Sequence, residues 1–312
     1  IYSYEGKMME IIVFDTVLSN EDFINVHSYL SQKWGLESTV DSDGDGVADA
    51  TDFAPLDPTI QSDLTVDMTG KPSILSDTSL KLWLDADHTN SVIKDGSNKV
   101  SKWMDLSGNG NDAVSAQNKE PKVITDSLGK AIEFNGLGGL IVDDPGAGSS
   151  IDLGTNFTYI IVYDNDGTGS LTQKYSKAAD QIHAKDNRIE IGVSGVASQY
   201  ENSYFPSDDI ILTNIKSQDV MSQVYANGTK MEPDTVKAVR NYSDNNYDLY
   251  IGSNYGHGSA LTGIIREVMV FNKPITDSER IEINNYLSQK WGLESAVDSD
   301  GDGVVDNVDA LQ

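Results

Sequence analysis

Short apolar runs separated by turn residues dominate the middle of this chain. They fall at 80–84 (LKLWL), 130–134 (KAIEF), 157–163 (FTYIIVY), 188–193 (RIEIGV), 220–225 (VMSQVY) and 247–251 (YDLYI). Runs of this length, rich in β-branched and aromatic residues and bounded by Gly, Asn and Asp, predict strands. Asn227-Gly228 after the fifth run predicts a tight hairpin, because both residues tolerate positive φ. No long helical pattern alternates with these runs, which argues against a parallel α/β sheet. Two packed antiparallel sheets are the expected solution.

Helical periodicity occurs in two places, and these are copies of one another. The ten letters YLSQKWGLES at 29–38 recur at 286–295, an offset of 257 residues. The register holds without a gap from Gly6/Gly263 through Glu10/Glu267, Phe14/Phe271 and Trp34/Trp291 to Asp52/Asp309. In each copy an apolar run, 10–14 or 267–271, predicts a strand, and a helix follows. In the second copy Thr276 and Glu279 form a capping box. Ile283, Leu287 and Trp291 share one face, and Gly292 ends the helix. In the first copy Ser19 caps, Phe23, Val26, Leu30 and Trp34 make the stripe, and Gly35 stops it. Both tryptophans are expected to be core anchors, with the helix closing a sandwich.

The repeat implies an organisation. Residues 1–38 read as the terminal strand and helix of a preceding repeat and 39–72 as a linker. Residues 73–295 read as a complete module, and 296–312 as the start of the next linker. The chain opens on Ile1, so the expectation is an internal piece of a longer tandem protein or a processed product. A rival reading, in which 1–38 donates a strand to a neighbouring molecule, ranks lower because the module already owns its copy of that strand.

Each copy ends in an acidic loop. Asp41, Asp43, Asp45, Asp49 and Asp52 recur as Asp298, Asp300, Asp302, Asp306 and Asp309. Counted from the first Asp, the carboxylates occupy positions 1, 3, 5, 9 and 12, with Gly at position 6. That is the ligand spacing of an EF-hand-type loop and predicts Ca2+ as cofactor, with the carbonyls of Val47 and Val304 at position 7 as further ligands. Gly46 and Gly303 permit the sharp turn. Position 12 is Asp rather than Glu, and no long helices flank the loop. The pattern resembles thrombospondin type 3 repeats, and Phe53-Ala-Pro55-Leu-Asp57-Pro58 continues it. A disordered acidic linker is the plainer alternative.

A second resemblance lies in the module. Leu82-Trp83-Leu84-Asp85-Ala86-Asp87, then 103–113 (WMDLSGNGNDA), Phe134-Asn135-Gly136, Tyr225-Ala226-Asn227-Gly228, Ile251-Gly252 and Gly263 to Glu267 follow one another in an order similar to bacterial laminin G-like, concanavalin A-like jelly rolls. The resemblance implies an all-β antiparallel two-sheet jelly-roll sandwich with a C-terminal helix, joined by calcium-loop linkers. It also implies glycan or protein partners, or a spacer role. Asp85, Asp87, Asp105, Asn109 and Asp112 could build a further metal or sugar site. Asx-type turn bonding at Asp105 and 107–111 is the favoured reading.

Charge and composition narrow the functions. Forty-nine acidic residues against 22 basic ones give −27, which disfavours nucleic acid and anionic membranes as partners. No run is long and apolar enough to span a bilayer. There is no cysteine, so metal ions rather than disulfides are the expected staples. Weak calcium sites fill outside the cytosol, which places the chain at a bacterial surface or in the extracellular space. The inventory argues against an enzyme. His27, His88, His183 and His257 are scattered, and the paired carboxylates of jelly-roll glucanases are not visible. The leading expectation is a structural repeat of a calcium-stabilised surface fibre or adhesin stalk, with neighbouring copies of the repeat as partners. The alternative is a carbohydrate-binding, lectin-like module with exposed aromatics around a metal.

Overall fold

A computed structural model describes residues 6–44, 48–49, 56, 66–115, 119–146, 149–164, 167–174, 181–185, 188–192, 198–201, 209–233, 247–254 and 258–309. The chain divides into two compact units, 1–65 and 66–312.

The second unit is an all-β sandwich of two antiparallel sheets closed by a C-terminal helix. One sheet runs β15 (Thr229–Met231), β14 (Gln223–Ala226), β13 (Asp209–Lys216), β8 (Phe157–Asp164), β17 (Thr262–Phe271), β6 (Gly129–Asn135) and β5 (Lys122–Asp126), with β1 (Leu80–Asp85) also paired to β17. The other runs β12 (Ser198–Glu201), β11 (Arg188–Ile191), β10 (Gln181–Lys185), β9 (Gly169–Gln173), β16 (Leu249–Ile251), β7 (Leu140–Val142), β4 (Ala113–Ser115), β3 (Val100–Trp103) and β2 (Val92–Lys94). The predicted runs therefore sit in β1, β6, β8, β11, β14 and β16, although the fifth starts pairing only at Gln223. Asn227 and Gly228 have φ +48 and +83 between β14 and β15, the hairpin turn their residue types demand.

The period-two pattern of β8 shows how the layers form. Phe157, Tyr159, Ile161 and Tyr163 face the other sheet and join the core with Leu82, Leu84, Val268 and Val270. Ile160 and Val162 point the other way yet are equally buried, because α2 (Asp277–Lys290) lies over that outer face. Thr276 caps α2 through the reciprocal bonds with Glu279. Ile283, Leu287 and Trp291 are buried beneath it. Gly292, at φ +64, ends it, and the Leu293 N–H turns back to Ser288 O at 2.8 Å.

β17 carries a bulge. Ile265 pairs Tyr163 and Glu267 pairs Val162, leaving Arg266 as the extra residue. A bulge of this kind turns neighbouring side chains to one face. Arg266 lies 5.7 Å from the Trp291 ring, and the Trp291 indole N–H donates to Glu267 at 2.8 Å. Glu267 also accepts from the Trp83 indole at 2.7 Å and from Lys290 at 2.6 Å, and Lys290 reaches Asp85 at 2.5 Å. Burial opposes the charge on Lys290, but Glu267 and Asp85 outweigh it and hold the ammonium above its ordinary range. Arg266 clamps Asp209 at 2.6 Å and Asp126 at 2.7 Å.

The first unit presents the same repeated sequence, and no strand occurs among its described residues. The helix α1 (Asn20–Trp34) forms as predicted, with Ser19 accepting from Asp22 N and Gly35 in the left-handed conformation. Two expectations fail. Residues 7–14 form no strand, because a strand needs neighbours and the three that flank the copy in β17 have no counterpart among the described residues of this unit. Trp34 is 38% exposed rather than a core anchor, and Phe23 is 50% exposed.

Two stability predictions follow from this packing. Trp291→Ala should cost about 3–5 kcal/mol, while Trp34→Ala should leave the melt nearly unmoved; a thermal denaturation series compares them. Burial alone would raise the Asp126 carboxyl, but Arg266 wins and leaves it below its ordinary value, and Lys174 does the same for Asp144. Between those depressed values and the ordinary carboxylate range, the unfolded chain binds more protons. This stabilisation is therefore complete above the ordinary range and is lost as pH falls through the folded values. The thermal midpoint should drop on acidification, with a shallower slope in Asp126→Asn.

Candidate metal centre

The second acidic loop grows directly out of the end of α2. Val297 is fully buried, and the Asp306 N–H bonds Val297 O at 2.8 Å, closing the loop at its base. Asp298 then gathers the backbone: Oδ1 accepts from Gly301 N at 2.8 Å and Asp302 N at 3.2 Å, and Oδ2 from Gly303 N at 2.8 Å. Gly301 and Gly303 have φ +80 and +95, a conformation that side-chain-bearing residues rarely adopt. The curl brings one carboxylate oxygen each from Asp298, Asp300 and Asp302 within 4.8 Å of the others. At that distance like charges repel by roughly 1 kcal/mol per pair even in water. Hard oxygen donors at this spacing can hold a divalent cation. Among the described residues no other His, Cys, Asp or Glu group converges this way.

The remaining predicted side chains of this loop are not part of that trio. The Val304 N–H donates to Asp302 Oδ1 at 2.8 Å. Asp309 is half-buried and outside the trio, its N–H on Val305 O at 3.1 Å. Asp306 is buried and faces inward, accepting from Ser299 N at 2.8 Å, Ser299 Oγ at 2.8 Å and Ser288 Oγ at 2.5 Å. Position 9 thus latches the loop to α2.

The first loop repeats what can be compared. Asp41 Oδ1 accepts from Gly44 N at 2.7 Å, and Asp49 accepts from Ser42 N at 2.8 Å and Ser42 Oγ at 2.7 Å. Asp43 is described, whereas Asp45, Val47 and Asp52 lie outside the described residues, as do Gly46, Phe53, Pro55, Asp57 and Pro58.

The second loop is seated on the β14–β15 hairpin. The Asp298 N–H donates to Asn227 O at 3.0 Å. A Cβ on Gly228 would stand 1.6 Å from Asp298 O, so only glycine fits there. Buried Arg280 donates to Ser299 O at 3.0 Å and Gly228 O at 3.3 Å, with its guanidinium 4.3 Å above the Tyr225 ring. From the sequence Asn227-Gly228 reads only as a turn, and nothing there ties it to the acidic loop. The Ser299/Asp306 pair had a signal, since Ser42/Asp49 repeats it. Arg280 had none, because its counterpart is Phe23.

The other acidic positions in the module build turns. Asp105 accepts from the N–H groups of Trp83, Ser107 and Asn111 at 2.9–3.0 Å, and burial pushes its carboxyl up. Asp112 accepts from Asp105 N at 2.9 Å, and Asn109 donates to Leu80 O at 2.9 Å. Asp85 accepts from Asp87 N at 3.0 Å, and Asp87 from Lys130 N at 3.1 Å.

Comparison with known proteins gives a partial family match. Residues 210–279 match the laminin G type 3 family of the concanavalin A-like lectin/glucanase superfamily. That stretch spans β13 to β17 and the first residues of α2. We found no match among curated proteins. Similar solved structures include the binding domain of Paraclostridial Mosquitocidal Protein 1, at 18% identity and TM-score 0.49, over 70% of this chain and 56% of that one. Another is Trypanosoma rangeli sialidase in complex with the inhibitor DANA, at 16% identity and TM-score 0.46, over 85% and 39%. The shared region is thus less than two thirds of either of those chains. What this chain has in common with the family is a distantly related β-sandwich fold.

Two variants separate the roles within the loop. Asp300→Asn with Asp302→Asn should lower the calcium stoichiometry by one site in isothermal titration while leaving the melt without calcium unchanged. Asp306→Ala should instead destabilise the metal-free protein by about 1–3 kcal/mol, because it strands buried serine hydroxyls and a backbone N–H.

Proposed function

We propose that this chain belongs to a secreted, non-catalytic protein whose β-sandwich binds carbohydrate and whose acidic loops bind calcium. The observation that carries the lectin reading is the superfamily match across 210–279, which covers central strands of the helix-covered sheet. The calcium reading rests on the three converging carboxylates and on the repetition of the spacing at 41–52. Calcium at the second loop would be held by Asp298, Asp300 and Asp302. It would offset their mutual repulsion and fix a turn that Asp298 already organises.

The sandwich offers a candidate sugar site. A cleft of about 460 Å³ lies between residues 70–73 and α2, lined by Lys71, Glu282, Asn285, Tyr286 and Gln289 among others. An aromatic ring beside amide, ammonium and carboxylate groups is the donor and acceptor mixture that sugar hydroxyls need. No Phe, Tyr or Trp among the described residues of this unit is largely exposed, so half-buried Tyr286 is the ring at hand.

A second reading, a calcium-stabilised stalk or fibre built from tandem modules, is favoured by the 257-residue repeat. A glycan array probed with the whole chain in calcium separates the two. Binding to a defined glycan that Tyr286→Ala removes without moving the melt supports the lectin reading. No glycan above background leaves the structural reading in its place.

A further inference from the structure

We infer that residues 6–36 are the closing element of a second β-sandwich of this sequence type, one that is uncharged where this chain has Asp126 and Asp209. The inference rests on the tandem-repeat reading above and names the chemistry of the partner.

The segment exposes what its copy buries. Ile11, Val13 and Phe14 are 69%, 85% and 44% exposed, whereas their counterparts Val268, Val270 and Phe271 are fully buried in β17. An apolar ridge of this kind in water marks a surface awaiting a partner. The copy shows what that partner is: strands like β1 and β6 on one side, one like β8 on the other, and an outer face that receives the helix.

One polar feature of the buried copy is already assembled in the exposed one. Glu10 accepts from Lys33 at 3.0 Å and from the Trp34 indole at 2.9 Å, matching Glu267 with Lys290 and Trp291. In the buried copy the set is completed by the Trp83 indole and by Asp85. Glu10 and Lys33 would need the same two partners once desolvated, because buried charge without full hydrogen bonding is costly. The occupant should therefore carry Trp and Asp at those two positions.

Charge excludes this chain's own sandwich as the best fit. Arg266, 2% exposed, neutralises Asp126 and Asp209, and its counterpart is Met9. A thioether in that place would leave two carboxylates without a cation at the rim of a buried bulge. Phe23 stands where Arg280 holds Gly228 O and Ser299 O, a second mismatch on the helix. The two copies are thus keyed to different sandwiches.

The test fuses residues 66–261 ahead of residue 5 of the whole chain, so that 6–36 follows an added sandwich as β17 and α2 follow the native one. One fusion keeps the added sandwich unchanged. The other carries Asp126→Asn and Asp209→Asn in the added copy only. Hydrogen exchange of amides 8–14 reads docking. The expectation is a slowing of about 100-fold or more in the neutralised fusion and at least about tenfold less in the unchanged one. Equal protection in both overturns the charge key while leaving the repeat reading intact, and protection in neither overturns the repeat reading itself. In the whole chain alone, Arg266→Met should lower the thermal midpoint, and Asp126→Asn with Asp209→Asn should recover part of the loss. A melt unchanged by Arg266→Met would also overturn the key.

Discussion

A carboxylate held away from water between two tryptophans organises this molecule. Glu267 is 1% exposed and has three strong donors, from Trp83 on β1, Trp291 at the end of α2 and Lys290 on α2. Leaving any of these unmade would strand a buried ion, so the strand, the bulge and the helix are tied to one geometry. The bulge at Arg266 is part of the same solution, because it brings a second buried charge to the helix-covered face and pairs it with Asp126 and Asp209. Helix position, strand register and the seating of the acidic loop all follow from where α2 is fixed.

The acidic loop then appears as an extension of the sandwich. By spacing alone it reads as the start of a linker, with disorder as the plainer alternative. Arg280, Asn227 and the Ser288–Asp306 bond instead hold its base to the module. A loop whose curvature is already fixed loses less entropy on taking an ion, which favours binding. The first copy lacks the arginine, so the same aspartate spacing stands on a less supported base.

Much of this was legible in advance. Strand periodicity, the Asn-Gly turn and the capping box each act through neighbours close in sequence, and each appears where the pattern placed it; of the repeated aspartates, Asp298, Asp300 and Asp302 converge. What escaped depended on distant partners. Residues 10–14 have the composition of β17 yet form no strand, since β structure is a property of pairs. Trp34 and Trp291 stand in identical ten-residue contexts and differ from exposed to buried because only one has a sheet beneath it. Asp306 stands at a ligand position by spacing, and its bond from Ser288, 18 residues earlier, is a contact that spacing does not reveal.

The pairing of β1 with β17 has a consequence for the order in which the molecule can assemble. The indole of Trp83 meets its carboxylate 184 residues later in the chain. During synthesis, β1 would wait through nearly the whole module before its partner emerged, and most of the sheet would be present but open. Such long-range closure makes folding slow and leaves apolar edges exposed meanwhile. A chain built from these modules would always carry one unfinished sandwich at the ribosome, and a heavy surplus of negative charge is a simple means of keeping such intermediates apart.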